Sequence, residues 1–203
     1  MPLQCKNRRT IDAAVTWQQW CGSIHELEPR QIDLFCSHLL RLDNDCRRSR
    51  FGHPASNAFL EQYVARFGAA NTRVFGCAVD GHVRGAVELR SLRSEWSTDA
   101  ELAFSVETCW QGRGIGTALM ARAIQGARGL YILHLHLSCH RFNRPMQRIV
   151  YRFAASIGFY DGECLAGIVV RSEPVSAALT EQPEPAPLCD QIFTLDLGPP
   201  AGS

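Results

Sequence analysis

The chain has 203 residues, of which 46% are hydrophobic and 20% are charged, the composition of an ordinary globular protein. A chain of this size buries enough surface to fold without disulfides or a metal. Its 21 Lys and Arg against 20 Asp and Glu leave a net charge of +1, so no overall field attracts nucleic acid or an anionic membrane. No apolar stretch approaches the roughly 18 residues of a membrane-spanning helix. We therefore predict no nucleic-acid partner and no membrane partner.

The cysteines are numerous but scattered. All nine lie at least ten residues from one another, whereas zinc sites and redox pairs place their ligands two to four residues apart. The count is odd, and Asp12 and Gln18 interrupt the apolar residues after Lys6, unlike the unbroken core of a secretory signal. We therefore predict a cytoplasmic protein without a metal site.

The first half of the chain carries helix signals and then strand signals. Residues 1–23 show no firm pattern and are interpreted as a loosely held lead-in. Apolar spacing, capping residues and an Asp-Gly pair predict a helix from Pro29 to Arg41, a helix from Ser56 that stops at Gly68, and a hairpin over 74–89. Between the helices, Asp43–Arg50 is interpreted as a polar, arginine-rich stretch.

The second half of the chain alternates strand and helix signals. The same criteria predict a strand over Ala100–Val106, a helix over Gly114–Gln125, a strand over Tyr131–Ser138, a helix over Asn143–Phe153 and a hairpin over 157–170. This order predicts an α/β fold with a mixed parallel and antiparallel sheet, in a single domain over 24–172. Six of the ten prolines follow Ser172, so 173–203 is interpreted as a proline-rich tail.

The most informative segment runs from Ala100 to Ala123, where a strand ends, three glycines alternate and a helix begins. Glycines let the backbone approach a ligand closely, and a helix start offers free amides, so this arrangement favours a phosphate or pyrophosphate. A P-loop is excluded because no lysine follows Gly116. A dinucleotide fingerprint is excluded because Thr117 stands where its third glycine belongs. The pattern Q-x-x-G-x-G fits Gln111–Gly116.

This pattern, in its order of strands and helices, resembles the acetyl-CoA-binding signature of the GCN5-related N-acetyltransferases (GNAT), over roughly residues 24–171. The resemblance implies a mixed central sheet flanked by helices, in a single domain. It also implies acetyl-CoA as cosubstrate, a small-molecule or peptide amine as acceptor, and no metal. Relatives commonly form homodimers through their last strands, which this sequence neither requires nor excludes.

The resemblance also implies which residues bind the cosubstrate. In relatives, free backbone groups of the strand before the loop bond the pantetheine arm, and Phe104, Ser105 and Val106 occupy that stretch here. Amides of the glycine loop would hold the pyrophosphate, and this loop comprises Gln111, Gly112, Arg113, Gly114, Ile115, Gly116 and Thr117. Asn143 matches the asparagine that opens the later helix and commonly contacts the cofactor; it is also a natural N-cap, and one residue can do both.

Two residues are candidates for acid–base catalysis. An ammonium cannot attack a thioester, so a base or a water relay must take its proton. Glu101 lies where several relatives place a base, although a solvated strand residue is the alternative. Many relatives carry an acidic tyrosine seven residues after the asparagine, but that position is Val150, and Tyr151 lies about 100° further round the helix. Tyr151 is therefore the candidate acid, with a core or surface tyrosine as the alternative.

Further residues leave alternatives open. His134, His136 and His140 invite a metal interpretation, but histidines flanking a cleft, one of them able to relay a proton, fit better. Arg47, Arg48 and Arg50 are either a solvated charge cluster or a site for an anionic substrate group. The function predicted is N-acetyl transfer from acetyl-CoA to an amine by direct attack. The alternative is a non-catalytic domain that senses acyl-CoA or mediates protein contacts.

Overall fold

The computed structural model describes residues 22–67, 71–93, 97–153 and 156–170. Its strands are β1 (Ser23–Glu26), β2 (Thr72–Val79), β3 (His82–Ser91), β4 (Asp99–Val106), β5 (His134–His140), β6 (Ser156–Tyr160) and β7 (Glu163–Val169). Its helices are α1 (Ile32–Arg41), α2 (Asn44–Phe51), α3 (Asn57–Ala65), α4 (Ile115–Gly129) and α5 (Arg144–Arg152). Short 3-10 turns cover Pro29–Gln31 and Thr108–Trp110.

The strands form one mixed sheet in the order β1-β2-β3-β4-β5-β7-β6. Every neighbouring pair is antiparallel except β4 and β5, which run parallel. The connection between these two strands is α4, as expected because parallel strands need a crossover. The predicted α/β fold with mixed pairing is therefore confirmed.

Helices cover both faces of this sheet. A Cβ added to Gly85 of β3 would lie 2.9 Å from Ile115 Cγ2, so this side of β3 faces α4. The opposite side faces α1, α2 and α3, as shown by the hydrogen bond between His38 of α1 and Ser105 of β4. Helix α5 packs beside α4, because a Cβ on Gly116 would lie 2.8 Å from Ile149 Cδ1.

The core has two parts, one on each face. Under α1 and α3, fully buried side chains include Phe35, Leu39 and Leu60. Under α4, the wholly buried Leu119 and Met120 pack on the other face. Helical apolar spacing predicted the helices that supply all five residues, since each must bury one stripe against the sheet.

Two elements were not predicted. Asp43–Arg50 does not form an irregular polar stretch but most of α2, whose N-cap Asp43 accepts a hydrogen bond from the Cys46 amide at 2.8 Å. The helix ends at Gly52 in the left-handed region, with φ 75°. No residue of α2 is fully buried, so it lacks the apolar stripe on which the prediction relied. Strand β1 has only four residues and lies at the sheet edge.

The predicted domain boundaries stay predictions. Residues 1–21 of the predicted lead-in and the whole proline-rich tail, 173–203, lie outside the described residues.

Two glycines of α4 provide a matched stability test. A Cβ at Gly126 would overlap Cζ of the buried Phe75 ring, whereas a Cβ at Gly129 would meet nothing within 4 Å. Alanine adds about 0.5–1 kcal/mol of helix preference at either site, but overpacking costs about 1–3 kcal/mol. We expect Gly126→Ala to have a free energy of unfolding about 1–2 kcal/mol below that of Gly129→Ala in urea denaturation. Equal free energies of unfolding of the two variants would show that the Phe75 ring moves aside without an energetic cost.

Candidate active site

The central feature is a gap between β4 and β5, called the fork below. The two strands pair in three rows only, Asp99 with His134, Ala100 with Leu135, and Glu101 with His136. Beyond that last row, which we call the vertex, β4 continues along β3 to Val106 and β5 continues along β7 to His140. No described residue of β4 after Glu101 pairs with β5. One edge of β4 is therefore open along the fork.

Backbone groups of β4 are turned into this fork. The Glu107 amide donates to the Arg84 carbonyl at 3.0 Å, which places the residue after β4 in a hydrogen-bonded row with β3. Hydrogen-bonded and non-hydrogen-bonded rows alternate in an antiparallel ladder, so the backbone groups of Phe104 and Val106 point away from β3. The Val106 carbonyl accepts from Gln111 Nε2 at 3.0 Å. Of the three predicted pantetheine-strand residues, Phe104 and Val106 thus face the fork, whereas Ser105 pairs with β3.

The glycine loop opens next to this strand and ends in α4. Gly112 and Gly114 take φ values of 73° and 84°, in the left-handed region that favours glycine. Gly114 caps the 15-residue α4 without a side-chain hydrogen bond, and the first turn contains no acidic residue. The free amides and the positive dipole end are therefore available to an anion. The Arg113 guanidinium lies 4.6 Å from the centre of the Trp110 ring, which holds this cation at the loop.

Asn143 performs its capping role and also contacts α2. Its Oδ1 accepts from the Met146 amide at 3.2 Å, which caps α5. Its Nδ2 donates to Ser49 Oγ at 3.1 Å, and α2 packs against both β4 and β5. Helix α2 therefore lies across the fork. The spacing of apolar residues did not predict this helix, and its Ser49 is a site residue that the sequence analysis missed.

A second set of contacts ties α2 to the turn before the glycine loop. The Thr108 hydroxyl donates to the Asp43 carboxylate, and this bond and the Cys46 amide lower the pKa of Asp43. The Cys46 thiol lies 3.2 Å from Thr108 Oγ1 and accepts from Gln111 Nε2 at 3.3 Å. Burial raises the pKa of Cys46, so it stays a thiol. The flanking Asp43 and Gly52 were the signal available for this helix, as a cap and a stop.

A buried histidine holds α1 to the end of β4. His38 is wholly buried, with Nε2 2.9 Å from Ser105 Oγ and Nδ1 3.4 Å from Glu107 Oε1. Burial lowers the pKa of His38 despite the opposing effect of Glu107, so the ring is neutral. A carboxylate only accepts, so Nδ1 carries the hydrogen and Nε2 accepts from the Ser105 hydroxyl. Arg41 Nε at 2.8 Å and Arg84 at 3.0 Å also donate to Glu107.

Two of the three arginines of α2, Arg47 and Arg50, are neither part of a solvated cluster nor free to bind an anion. Arg47 donates to the carbonyls of Leu40, Leu42 and Ala55 at 2.7, 2.9 and 3.0 Å. Arg50 pairs with the buried Glu88 of β3, which also accepts from the Tyr63 hydroxyl at 2.6 Å. Burial and the Glu88 charge raise the pKa of Tyr63 to about 12. These groups fasten α2 and α3 to the sheet, while Arg48 is exposed.

Glu101 and Tyr151 lie in different surroundings. Glu101 is exposed at the vertex of the fork and is the register partner of Arg90 on β3 and His136 on β5. Antiparallel and parallel partners share a face, so these three side chains lie on the side of α1–α3. Tyr151 on α5 is 63% exposed, whereas Val150 is wholly buried. The structure thus brings Glu101 to the fork, and it shows no contact of Tyr151 with the other predicted residues within the described ranges.

In the described part of the chain, no three His, Cys, Asp or Glu side chains gather closely enough to hold a metal ion. None of the described helices combines the length and apolarity needed to cross a bilayer.

The buried histidine makes stability depend on pH. The pKa of His38 is lower in the folded protein than in the unfolded chain, where it is about 6.5. The contribution of His38 to the free energy of unfolding is therefore complete above about pH 6.5 and is lost as the pH falls below that value. The loss is at most about 1.4 kcal/mol per pH unit. We expect the urea midpoint to fall between pH 7.5 and 5.5, and to fall less in His38→Asn. Glu107, whose pKa is also lowered, acts below about pH 4.5, outside this window.

The exposed His82 is the control for this experiment. His82→Gln should show the same pH dependence as the parent protein. A midpoint that is flat from pH 7.5 to 5.5 in the parent would contradict the assignment of a neutral buried His38.

Comparisons with known proteins agree on one family. The family model described as the acetyltransferase (GNAT) family matches residues 37–159. The crystal structure of the GNAT domain of S. lividans PAT superposes with a TM-score of 0.62 at 17% identity, covering 73% of this chain and 90% of that one. A search of curated proteins gave no match.

Two further solved structures share the fold. The ribosomal-protein-S18-alanine N-acetyltransferase from Escherichia coli has a TM-score of 0.57 at 14% identity, covering 75% of this chain and 96% of its own. The PaiA N-acetyltransferase from Thermoplasma acidophilum, in complex with coenzyme A, has a TM-score of 0.53 at 15% identity. The match covers 72% of this chain and 99% of that one. At these identities the structures establish the fold, and the match of the family model over more than half of the chain establishes membership. The chain belongs to the GNAT acetyltransferase family.

Proposed function

We propose that this protein transfers an acetyl group from acetyl-CoA to a primary amine by direct attack, without a covalent enzyme intermediate. The observation that carries the proposal is the open edge of β4, which leads from the uncapped start of α4 to the vertex of the fork. The coenzyme A bound by the PaiA relative supports the choice of cosubstrate. The acceptor is a small-molecule or peptide amine, and the reaction is assigned to the cytoplasm.

The residues present fit an extended thioester with a diphosphate at one end. The diphosphate lies at the amides of Gly112–Thr117, where no acidic side chain of the first helical turn repels it. Arg113 adds a charge-assisted hydrogen bond. Phe104 and Val106 offer backbone groups to the amides of the pantetheine arm, and Asn143 borders the same gap from the β5 side.

The chemistry takes place at the vertex. The amine must lose a proton before its lone pair can attack the thioester carbon. Glu101 is the proposed base, acting directly or through a relay, and a backbone amide of the open β4 edge donates to the developing oxyanion. The nitrogen of the adduct then releases its second proton to water, the carbon–sulfur bond breaks, and the thiolate takes up a proton from Tyr151 or from water. This sequence yields the N-acetylated product and free coenzyme A.

The first test of the proposal is cosubstrate binding. An aspartate at Gly114 places a negative charge at the start of α4, so we expect Gly114→Asp to weaken coenzyme A binding at least tenfold in calorimetric titration. The control is Gly81→Asp in the β2–β3 turn, where φ is 74° and a Cβ meets nothing within 4 Å. Both variants strain a left-handed backbone, but only the first changes the charge of the loop. Equal affinity in both variants would disprove the placement of the diphosphate.

The second test concerns the base. Glu101→Gln keeps the size of the side chain but cannot take a proton, and positioned bases contribute about 10²–10⁴-fold. We expect kcat to fall in that range with coenzyme A affinity unchanged. Thiol release from acetyl-CoA would be followed with a panel of tyramine, spermidine, lysine and a short peptide. Glu61→Gln, at an exposed position on α3, should match the parent.

The same panel separates the enzyme from the alternative function. Coenzyme A binding without turnover on any amine would favour a non-catalytic sensor of acyl-CoA. The buried Val150, at the position of the family tyrosine, is the observation on which that alternative rests.

A further inference from the structure

We propose that His136, oriented by Asp99, is the relay through which the proposed base Glu101 acts: the Glu101 carboxylate binds the ammonium of the acceptor, and His136 accepts the proton. This inference rests on the proposed function and adds a catalytic residue on β5. It concerns the vertex of the fork, where the last row of paired residues joins β4 to β5.

The position of His136 is fixed by the register of the sheet. It is the parallel partner of Glu101, and neighbouring strands lie about 4.8 Å apart. Both side chains are exposed on the α1–α3 side, whereas Leu135 and Leu137 of the same strand are buried on the other side. The strands separate immediately after this row, so His136 is the last β5 side chain on that face before the fork.

Asp99 holds the imidazole in one orientation. His136 Nε2 lies 3.1 Å from Asp99 Oδ1, and Thr98 Oγ1 donates to the other carboxylate oxygen at 2.9 Å. The hydrogen bond from His136 lowers the pKa of Asp99, so the carboxylate is ionised and only accepts. Nε2 therefore carries the hydrogen, and the lone pair of the neutral ring lies on Nδ1. No hydrogen bond to this Nδ1 occurs among the residues described.

Charged groups of both signs surround the ring. Within the sheet, the nearby titratable or charged side chains are Asp99 and Glu101 of β4, His134 of β5 and Arg90 of β3. The β7 partner of His136 is the uncharged Gly167. The charged residues of α2, which packs against β5, are Asp45, Arg47, Arg48 and Arg50. Of these, Arg47 and Arg50 are engaged by carbonyls and by Glu88.

The proton balance of the step is simple. The acceptor enters as an ammonium next to the Glu101 carboxylate, and one N–H proton moves to Nδ1 of the neutral His136. The freed lone pair forms the carbon–nitrogen bond, and the carbon–sulfur bond breaks with its electrons on sulfur. The nitrogen of the adduct still carries a second proton to lose, which passes to the leaving thiolate directly or through water, and the imidazolium returns the first proton to water. An imidazole suits this task because its unprotonated nitrogen can accept a proton and release it to water afterwards.

The test uses the full-length protein, acetyl-CoA and the most active amine of the panel. We expect His136→Ala to lower kcat about 10²-fold near pH 7.5 without changing coenzyme A affinity. Free imidazole in the buffer should restore part of the rate, because it supplies the missing base at an exposed position. His134→Ala is the matched control on the same strand and face, with no expected loss and no rescue.

A second variant guards against a purely structural effect. His136→Gln keeps a donor for Asp99 but cannot accept the proton. It should stay folded, lose the rate and lack the rise of kcat/KM with pH that we expect for the parent protein. Asp99→Asn should retain most of the affinity for coenzyme A and lower kcat about tenfold.

The outcomes separate this inference from the proposed function. Parent protein that fails to bind coenzyme A, or that binds it without turning over any amine, overturns both. The parent protein could be active while His136→Ala and His136→Gln both keep its rate and pH profile. That result would overturn the role of His136 and leave the proposed function intact. A loss of rate accompanied by weaker coenzyme A binding and no imidazole rescue also overturns it.

Discussion

The structure depends on keeping two parallel strands apart. The main-chain N–H and C=O groups of paired strands hydrogen-bond to one another. A sheet that opens in its middle therefore leaves some of these groups without strand partners. The gap after the row of Glu101 and His136 exposes such an edge on β4, where Phe104 and Val106 face outwards from the ladder. The rest of the domain holds this edge in place, and the proposed cosubstrate supplies the partners that β5 does not.

Polar contacts hold the edge from its far end. His38, Arg41 and Arg84 all converge on Glu107, the first residue after β4, and Asp43 holds Thr108 in the following turn. The Glu107 carboxylate accepts from all three side chains, and losing one of these bonds would leave a part-buried donor unsatisfied, which favours this one arrangement. The end of β4 and the start of the glycine loop are thereby fixed relative to α1 and α2. Such fixed geometry is what positioning of a reactive thioester requires.

Most of the sheet and the loop could be predicted from sequence because their signals are local. The Asp-Gly pairs marked the hairpins, and the alternating glycines before an apolar helix marked the loop that is proposed to bind an anion. Helix α2 was missed because no residue of it is fully buried, although Asp43 and Gly52 bracket it. The roles of Arg47 and Arg50 depend on carbonyls and a glutamate distant in the chain, which spacing does not reveal. Likewise, the partnership of His136 with Asp99 follows only from strand register.

Helix α2 is attached to the domain largely by hydrogen bonds and ion pairs. Its Arg47 bonds carbonyls, its Arg50 meets Glu88, and its Ser49 meets Asn143. Cys46 and Phe51 of this helix pack against the core, but its exposed Asp45 and Arg48 can change without repacking that core, a freedom that the buried stripe of α4 lacks. For the proposed reaction, acceptor preference can therefore diverge through exposed residues along one wall of the fork, while the end proposed to bind the diphosphate stays unchanged.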